Sequence, residues 1–326
     1  MKALIYEGVE SVVYRDVPDA KPNHGEHLIR IQAVGICGSD MHAYLGHDAR
    51  RPAPLILGHE AAGVIVGGPR DGARVTINPL VSCGRCGACS AGRENLCPDR
   101  QIISMPPREG AFAEFVAMPE RNLIDVPQHV SLSQAALAEP LAVGWHAARL
   151  GLEASHSSME RRALVLGGGA IGVAAALALS AMGVENVQIV EPNTLRRAYL
   201  QNAIPFKLVA ETADTFPLII DAVGFAATRA TASALAQPGG VIAHAGLGED
   251  SGGLDARRMT LQEITFFGTY TYTAEDFRET AQAIFDGRLG ALDWVEARAL
   301  SDGARAFQDL RRGAVSAPKI ILAPWE

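Results

Sequence analysis

The chain has 326 residues, 48% of them hydrophobic and 20% charged, and a formal net charge of -7 at pH 7. That length exceeds one ordinary core and predicts two domains of a folded globular protein. The acidic balance, with no run of Lys or Arg, excludes nucleic acid and an anionic membrane surface as partners. The opening Met1 to Glu7 has only a short apolar run before an acid and reads as a first strand, not a signal peptide. The apolar run Ala170 to Met182 falls short of the ~20 residues of a membrane span. The expected location is therefore the cytoplasm.

Residues 1 to about 140 read as mostly β. Short apolar runs at Lys2 to Tyr6, His27 to Val34, Ala62 to Val66, Arg74 to Ile77 and Phe112 to Ala117 are separated by Pro and Gly clusters. From Ser131, a candidate N-cap, the pattern turns Ala- and Leu-rich, with a long helix expected over Leu137 to Leu150. Beyond it strands at Ala163 to Leu166, Val187 to Val190, Leu218 to Asp221, Val241 to Ala245 and Ile264 to Phe267 alternate with helices, which predicts a parallel, doubly wound sheet. The tail reads helix, strand, helix, strand. It opens on a cap at Thr273 with Glu275 and Asp276 and closes on a strand from Lys319 to Leu322.

Three motifs carry chemistry. Cys37, Ser39 and Asp40 lie within four residues, with Gly58-His59-Glu60 some twenty positions on. Cys, His and Glu are ligand types that a catalytic zinc takes, so the set reads as a metal site, against the plainer reading of a buried Cys beside unrelated polar residues. Cys83, Cys86, Cys89 and Cys97, at spacings x2, x2 and x7, fit a closed thiolate zinc knot. A pair of disulfides is the competing reading, disfavoured without a secretory signal. Assigning these four leaves Cys37 as the one remaining thiol.

Gly167, Gly169 and Gly172 match GxGxxG where a strand gives way to a helix. Gly167 would make the tight turn, Gly169 the close approach to a pyrophosphate, and Gly172 the helix-on-strand packing, with Ala170 and Ile171 opening the helix toward the anion. Glu191 ends the next strand, 24 residues after Gly167. A carboxylate there accepts from the adenosine ribose hydroxyls and repels a 2′-phosphate, favouring NAD over NADP. Arg196 and Arg197 nearby are the features that could accommodate the phosphate.

Taken together these segments resemble the zinc-containing medium-chain alcohol/polyol dehydrogenases nearly end to end. Cys37 to His42 is similar to the segment with the catalytic-zinc Cys and its proton-relay hydroxyl, and Gly58 to Gly63 to the GHExxG signature. Cys83 to Cys97 is similar to the structural-zinc lobe. Glu139-Pro140-Leu141 resembles the segment that supplies a further zinc ligand in the sorbitol and threonine dehydrogenase branches. The resemblance implies a GroES-like β-rich catalytic domain (1–140 and 273–326, zinc lobe 83–97) and a Rossmann NAD-binding domain (141–272). It implies two zinc ions per chain. Cys37, His59, Glu60 and Glu139 surround the catalytic one, and either carboxylate can be the direct ligand; Asp40 orients a ligand from behind.

It further implies a homodimer or homotetramer built through edge strands of the nucleotide domain, and hydride transfer between a secondary alcohol and NAD. The zinc acts as Lewis acid, and Ser39 passes the proton through the cofactor ribose toward His42. A threonine-like amino alcohol, carbonyl reduction, or nucleotide sensing without catalysis are the alternatives. Three departures stand out: a shortened turn at Gly68 to Val75, a clipped stretch between Phe206 and Leu218, and Thr271 about where the sorbitol branch places Arg. Tyr44 and Phe112 are candidates for the substrate wall or for ordinary core.

Overall fold

The computed structural model describes residues 1–326. In chain order the first part forms β1 (Lys2–Gly8), β2 (Ser11–Asp16), β3 (Glu26–Gly35), α1 (Gly38–Tyr44), β4 (Leu55–Ile56), β5 (Glu60–Val66), β6 (Arg74–Ile77), β7 (Leu80–Val81), α2 (Gly87–Ser90), β8 (Gln101–Ile102), β9 (Phe115–Pro119) and β10 (Leu123–Asp125). Alternation places these strands: in β3, Ile29, Ile31 and Ala33 are buried while Arg30 is exposed, the period-two pattern of a strand with one face on the core. β2, β1 and β4 make a small antiparallel sheet, and a larger one runs β10-β6-β5-β3 with β9 also on β3. The strand expected to open at Phe112 begins only at Phe115. The backbone of Gly110 to Phe112 instead bonds to Ile56, Leu57 and Gly58, and regular pairing on β3 starts at Phe115.

α3 (Leu132–Ala136) is capped by Ser131, whose hydroxyl accepts from the Gln134 amide at 3.1 Å. α4 (Ala138–Ala154) follows and tolerates Pro140 because the first helical turn needs no intrahelical donor there. The second domain then runs β11 (Arg162–Leu166), α5 (Ala170–Ala181), β12 (Asn186–Val190), α6 (Thr194–Ala203), β13 (Lys207–Val209), β14 (Phe216–Asp221), α7 (Ala226–Leu235), β15 (Ala236–His244), α8 (Ala256–Leu261) and β16 (Thr265–Gly268). All six strands are parallel, in the order β13-β12-β11-β14-β15-β16. The winding reverses between β11 and β14, so the ligand crevice of this sheet lies beyond their carboxyl ends. In the clipped stretch the crossover from β13 to β14 is made by residues 210–215 with no helix.

The chain continues through α9 (Ala274–Phe285), whose Thr273 cap accepts from the Asp276 amide at 3.1 Å. α9 and the following Leu289, Leu292 and Trp294 belong to the core shared by α4 and α5. Return to the first domain begins at β17 (Val295–Ala299), followed by α10 (Gly303–Arg311) and β18 (Lys319–Ala323), which inserts between β17 and β3.

Candidate functional site

Cys37 follows β3 at the N-cap of α1. Gly58 turns the chain into β5 with φ +88°, the left-handed region that favours glycine, and a Cβ there would lie 2.5 Å from the Phe112 ring. Glu60 opens β5 directly opposite Gly35. The missing side chain of Gly35 makes room for the carboxylate: a Cβ would lie 2.0 Å from Glu60 Oε2. This geometry brings the ligand atoms of Cys37, His59 and Glu60 within 4.8 Å of one another. Glu139 enters from the first turn of α4, buried, its Oε1 accepting from the Tyr272 hydroxyl at 2.8 Å. Burial pushes its carboxyl up to about 7, reinforced by Glu60 and opposed by His59.

Asp40 is fully buried behind the cluster. Its Oδ2 accepts from the Cys37 amide at 2.9 Å, and its Oδ1 accepts from the Gly58 amide at 3.2 Å and stands 3.5 Å from His59 Nδ1. Ser104 Oγ also lies 3.5 Å from Nδ1. The δ nitrogen thus faces these partners and leaves Nε2 for a metal, the usual carboxylate–histidine arrangement. Burial opposes a charged imidazole here, yet the Asp40 charge holds His59 above its ordinary value. Lys319 Nζ donates to Glu60 Oε1 at 2.6 Å and to the Ile36 carbonyl at 2.9 Å. Glu60 Oε2 remains buried with no hydrogen-bond partner. An orphaned carboxylate oxygen beside a thiol and an imidazole fits a zinc ion.

Ser39 lies in α1, half-buried, with its hydroxyl 3.5 Å from Arg51 Nη2. Arg51 is itself buried: its Nε donates to the Ser104 carbonyl at 3.1 Å and its Nη1 to Asp48 at 2.5 Å. His42 is exposed, edge-on to His47. Tyr44 and Phe112 do not form a wall of the site. They are 2% and 1% exposed and both pack on Phe307 of α10, at 5.1 and 6.0 Å between ring centroids, inside the first domain's core.

The four cysteines of the lobe are free thiols whose ligand atoms gather within 4.8 Å. Cys83 and Cys89 sulfurs are 3.9 Å apart and those of Cys86 and Cys89 3.5 Å. These are not disulfide distances, whereas a tetrahedron with Zn–S bonds of about 2.3 Å has edges of about 3.8 Å. Hydrogen bonds from the backbone of Arg85 and Cys86 pull the Cys83 thiol down to about 6, while, against a bond from the Cys89 backbone, burial and the neighbouring thiols push the Cys86 thiol up to about 11. The metal reading of the lobe therefore rests on the sulfur spacing.

In the second domain Gly167 sits at φ +99°, and a Cβ on Gly172 would lie 1.8 Å from the Gly167 carbonyl oxygen. Gly169 is the N-cap of α5 with no side-chain cap, and Ala170 and Ile171 form the first turn. The helix therefore presents unpaired amides at the crevice, as a dinucleotide pyrophosphate requires. Glu191 accepts from the Gly168 amide at 2.9 Å and the Asn193 amide at 2.8 Å, which holds the carboxylate beside the glycine turn. Arg196 turns away to donate to the Val315 carbonyl at 3.0 Å, and Arg197 donates to the Glu191 carbonyl at 2.7 Å.

Lys319, Arg51, Ser104 and Tyr272 escaped sequence reasoning. Lys319 reads as one residue of a closing strand, and only the pairing of β18 with β3 puts it on Glu60. Arg51 carries one local signal, its place between two candidate motifs, but nothing in the sequence indicates its burial.

Residues 23–128 match the family model described as the alcohol dehydrogenase GroES-like domain. The chain is 38% identical to the sorbitol dehydrogenase of Bacillus subtilis over 60% of its own length and 57% of that protein. It is 31% identical to the sorbitol dehydrogenase of Arabidopsis thaliana over 78% of its length and 77% of that relative. An alcohol dehydrogenase of Escherichia coli CFT073, solved with NADH, superposes with a TM-score of 0.86 over 99% of both chains at 26% identity. With the metal cluster, cysteine lobe and glycine turn all present, the chain belongs to the zinc-containing medium-chain alcohol/polyol dehydrogenase family.

Proposed function

We propose that the protein transfers hydride between a secondary alcohol of a polyol, sugar alcohol or related small hydroxy compound and NAD. The observation that carries this reading is the thiol–imidazole–carboxylate cluster of Cys37, His59 and Glu60 with its orphaned Glu60 oxygen. Buried Glu139, on the helix that packs against the nucleotide domain, lies outside that trio but close enough to feel the charges of His59 and Glu60. Cys37, His59 and one of Glu60 and Glu139 would hold a zinc ion, which when bound supplies Lewis-acid polarisation of the alcohol oxygen. Asp40 fixes the tautomer and ring angle of His59. Ser39, 3.5 Å from Arg51 Nη2, would accept the alcohol proton while giving up its own hydroxyl proton toward exposed His42, one turn along the same helix, which would return it to solvent. The Gly167–Gly172 turn would receive the pyrophosphate. Glu191 would receive the adenosine ribose, and with Arg196 committed to Val315 the site favours NAD over NADP.

Threonine-like amino acids fit less well, because the buried cations that could face a carboxylate are already paired, Lys319 with Glu60 and Arg51 with Asp48. The proposal includes a cytoplasmic homodimer or homotetramer; no helix is long and apolar enough to cross a membrane. The test is initial rates with NAD and NADP across polyols, sugar alcohols, simple alcohols and threonine, on zinc-replete and chelated protein. Chelator-sensitive reduction of NAD on diol substrates is expected, abolished by Cys37→Ser with the fold intact. Full activity of Cys37→Ser would overturn the assignment.

A further inference from the structure

The segment from Thr269 to Ala274, which leaves β16 and crosses to the first domain, is unusual in its backbone. Thr271 adopts φ +48°, a conformation that a β-branched residue avoids, and its hydroxyl is buried with no partner. Such a conformation persists only where surrounding contacts over-determine it. The contacts on one side come from the cysteine lobe. Asn95 is 4% exposed, and its Nδ2 donates to the Tyr270 carbonyl at 2.8 Å, the side chain's single hydrogen bond, while its Oδ1 is buried and unpartnered. Glu94 Oε2 accepts from the Ala274 amide at 3.4 Å, and the Arg100 guanidinium lies 5.0 Å from the centre of the Tyr270 ring.

All three residues are tied to the backbone around Cys97 of the lobe. Asn95 sits in the turn Glu94–Leu96, closed by the Cys97 amide donating to the Glu94 carbonyl at 3.0 Å, and Arg100 Nη1 donates to the Cys97 carbonyl at 2.8 Å. On the other side the Thr269 amide donates to the His244 carbonyl at 2.9 Å. Between these anchors stands Tyr272, 1% exposed, whose hydroxyl donates to Glu139.

We infer that the cysteine lobe is a positioning element of the active site: through Asn95 it holds residues 269–273 in their strained conformation and so seats the Tyr272 hydroxyl on Glu139. The inference rests on the reading of Glu139 as part of the metal site. Asn95 and Tyr272 are positioning residues; an outer partner of this kind is worth about 10–100-fold in metal affinity or activity.

The test compares Asn95→Ala, Tyr272→Phe and the double variant in the full-length protein. Amide exchange of residues 269–274 and the zinc affinity of the catalytic site, by competition with a chromophoric chelator, are measured together with kcat and KM. Asn95→Ala is expected to speed exchange of that segment and to lower catalytic-site zinc affinity and kcat about tenfold or more, while KM for NAD stays within about twofold and the lobe keeps its own zinc. The double variant should be no worse than Tyr272→Phe alone, because both act on one contact. Asn95→Leu, which keeps the volume without the donor, serves where Asn95→Ala does not fold. Unchanged exchange, or losses that multiply in the double variant, would overturn the inference. Absence of turnover in the wild type would count against the proposed function alone, since exchange and zinc affinity decide the inference without catalysis.

Discussion

The Lys319 ammonium stands 2.6 Å from Glu60 Oε1, with side-chain exposures of 3% and 0%, and so ties the last strand to the metal cluster. Burial disfavours the lysine's charge, but Glu60 and the neighbouring Cys37 hold its pKa above the ordinary value. Replacing one partner leaves the other buried and unpaired, which costs about 3–5 kcal/mol. Lys319→Met should therefore lower stability by that amount in urea unfolding. The double variant Lys319→Met/Glu60→Gln should recover part of the loss.

The cysteine lobe makes a separate prediction. All five thiols are free, so protein denatured in guanidinium with a chelator and no reductant should titrate five thiols per chain. Cys97→Ser should reduce bound zinc from two ions to one and lower the melting temperature, as removal of a structural zinc ligand does. A count of one thiol would restore the disulfide reading.

Helix packing at Gly144 leaves no room for a side chain. A Cβ there would lie 2.4 Å from the Ala175 nitrogen and 2.5 Å from the Ala174 carbonyl carbon of α5, and these are backbone atoms that cannot rotate aside. Gly144→Ala should cost about 1–3 kcal/mol by overpacking, offset only partly by the better helix propensity of Ala. Chemical denaturation reads the difference.

Asp276 governs acid stability. Its carboxylate is 1% exposed, with Oδ2 2.7 Å from His146 Nδ1 and Oδ1 2.7 Å from Arg149 Nε. Burial works against its charge, but the bonds from His146, Arg149 and Thr273 hold its pKa well below the ordinary carboxylate range. A depressed folded-state pKa contributes stability that is present above the unfolded value, near about 4, and is lost as pH falls through the folded value. Asp276→Asn should destabilise the protein by about 3 kcal/mol at pH 7. The gap from wild type should narrow as pH drops below about 4, which urea midpoints across pH would show. A constant gap would contradict this account.

The parts of the site that were legible in the sequence are those whose chemistry is local. Cys37 with Asp40, Gly58 with Glu60, the four lobe cysteines and the glycine turn each fall within a few residues, because a turn or a ligand cage fixes short spacings. The alternation of strands and helices beyond Ser131 was equally legible, since a parallel sheet needs a crossover after each strand. What stayed hidden depends on contacts between distant segments: Lys319 meets Glu60 across 259 residues and Asn95 meets Tyr270 across 175. Tyr44 and Phe112 misled for the reverse reason. Tyr44 stands close to the Cys37 motif in sequence and Phe112 beyond the cysteine lobe, but α10, 263 and 195 residues later, supplies the Phe307 ring that draws both into the core.

Glu139 differs from the Cys37, His59 and Glu60 group in what carries it. Cys37, His59 and Glu60 are fixed to the sheets of the first domain, while Glu139 rides on the first turn of α4, whose later turns are locked against α5 at Gly144. Glu139 lies five residues before Gly144, about 7.5 Å along the axis at 1.5 Å per residue, so α4 is a short arm pivoted on its contact with α5. A tilt of about 5° about that contact would move the Glu139 end by about 0.7 Å on that length. The seating of α4 on α5 and the place of the Glu139 carboxylate are thus joined through one short stretch of helix.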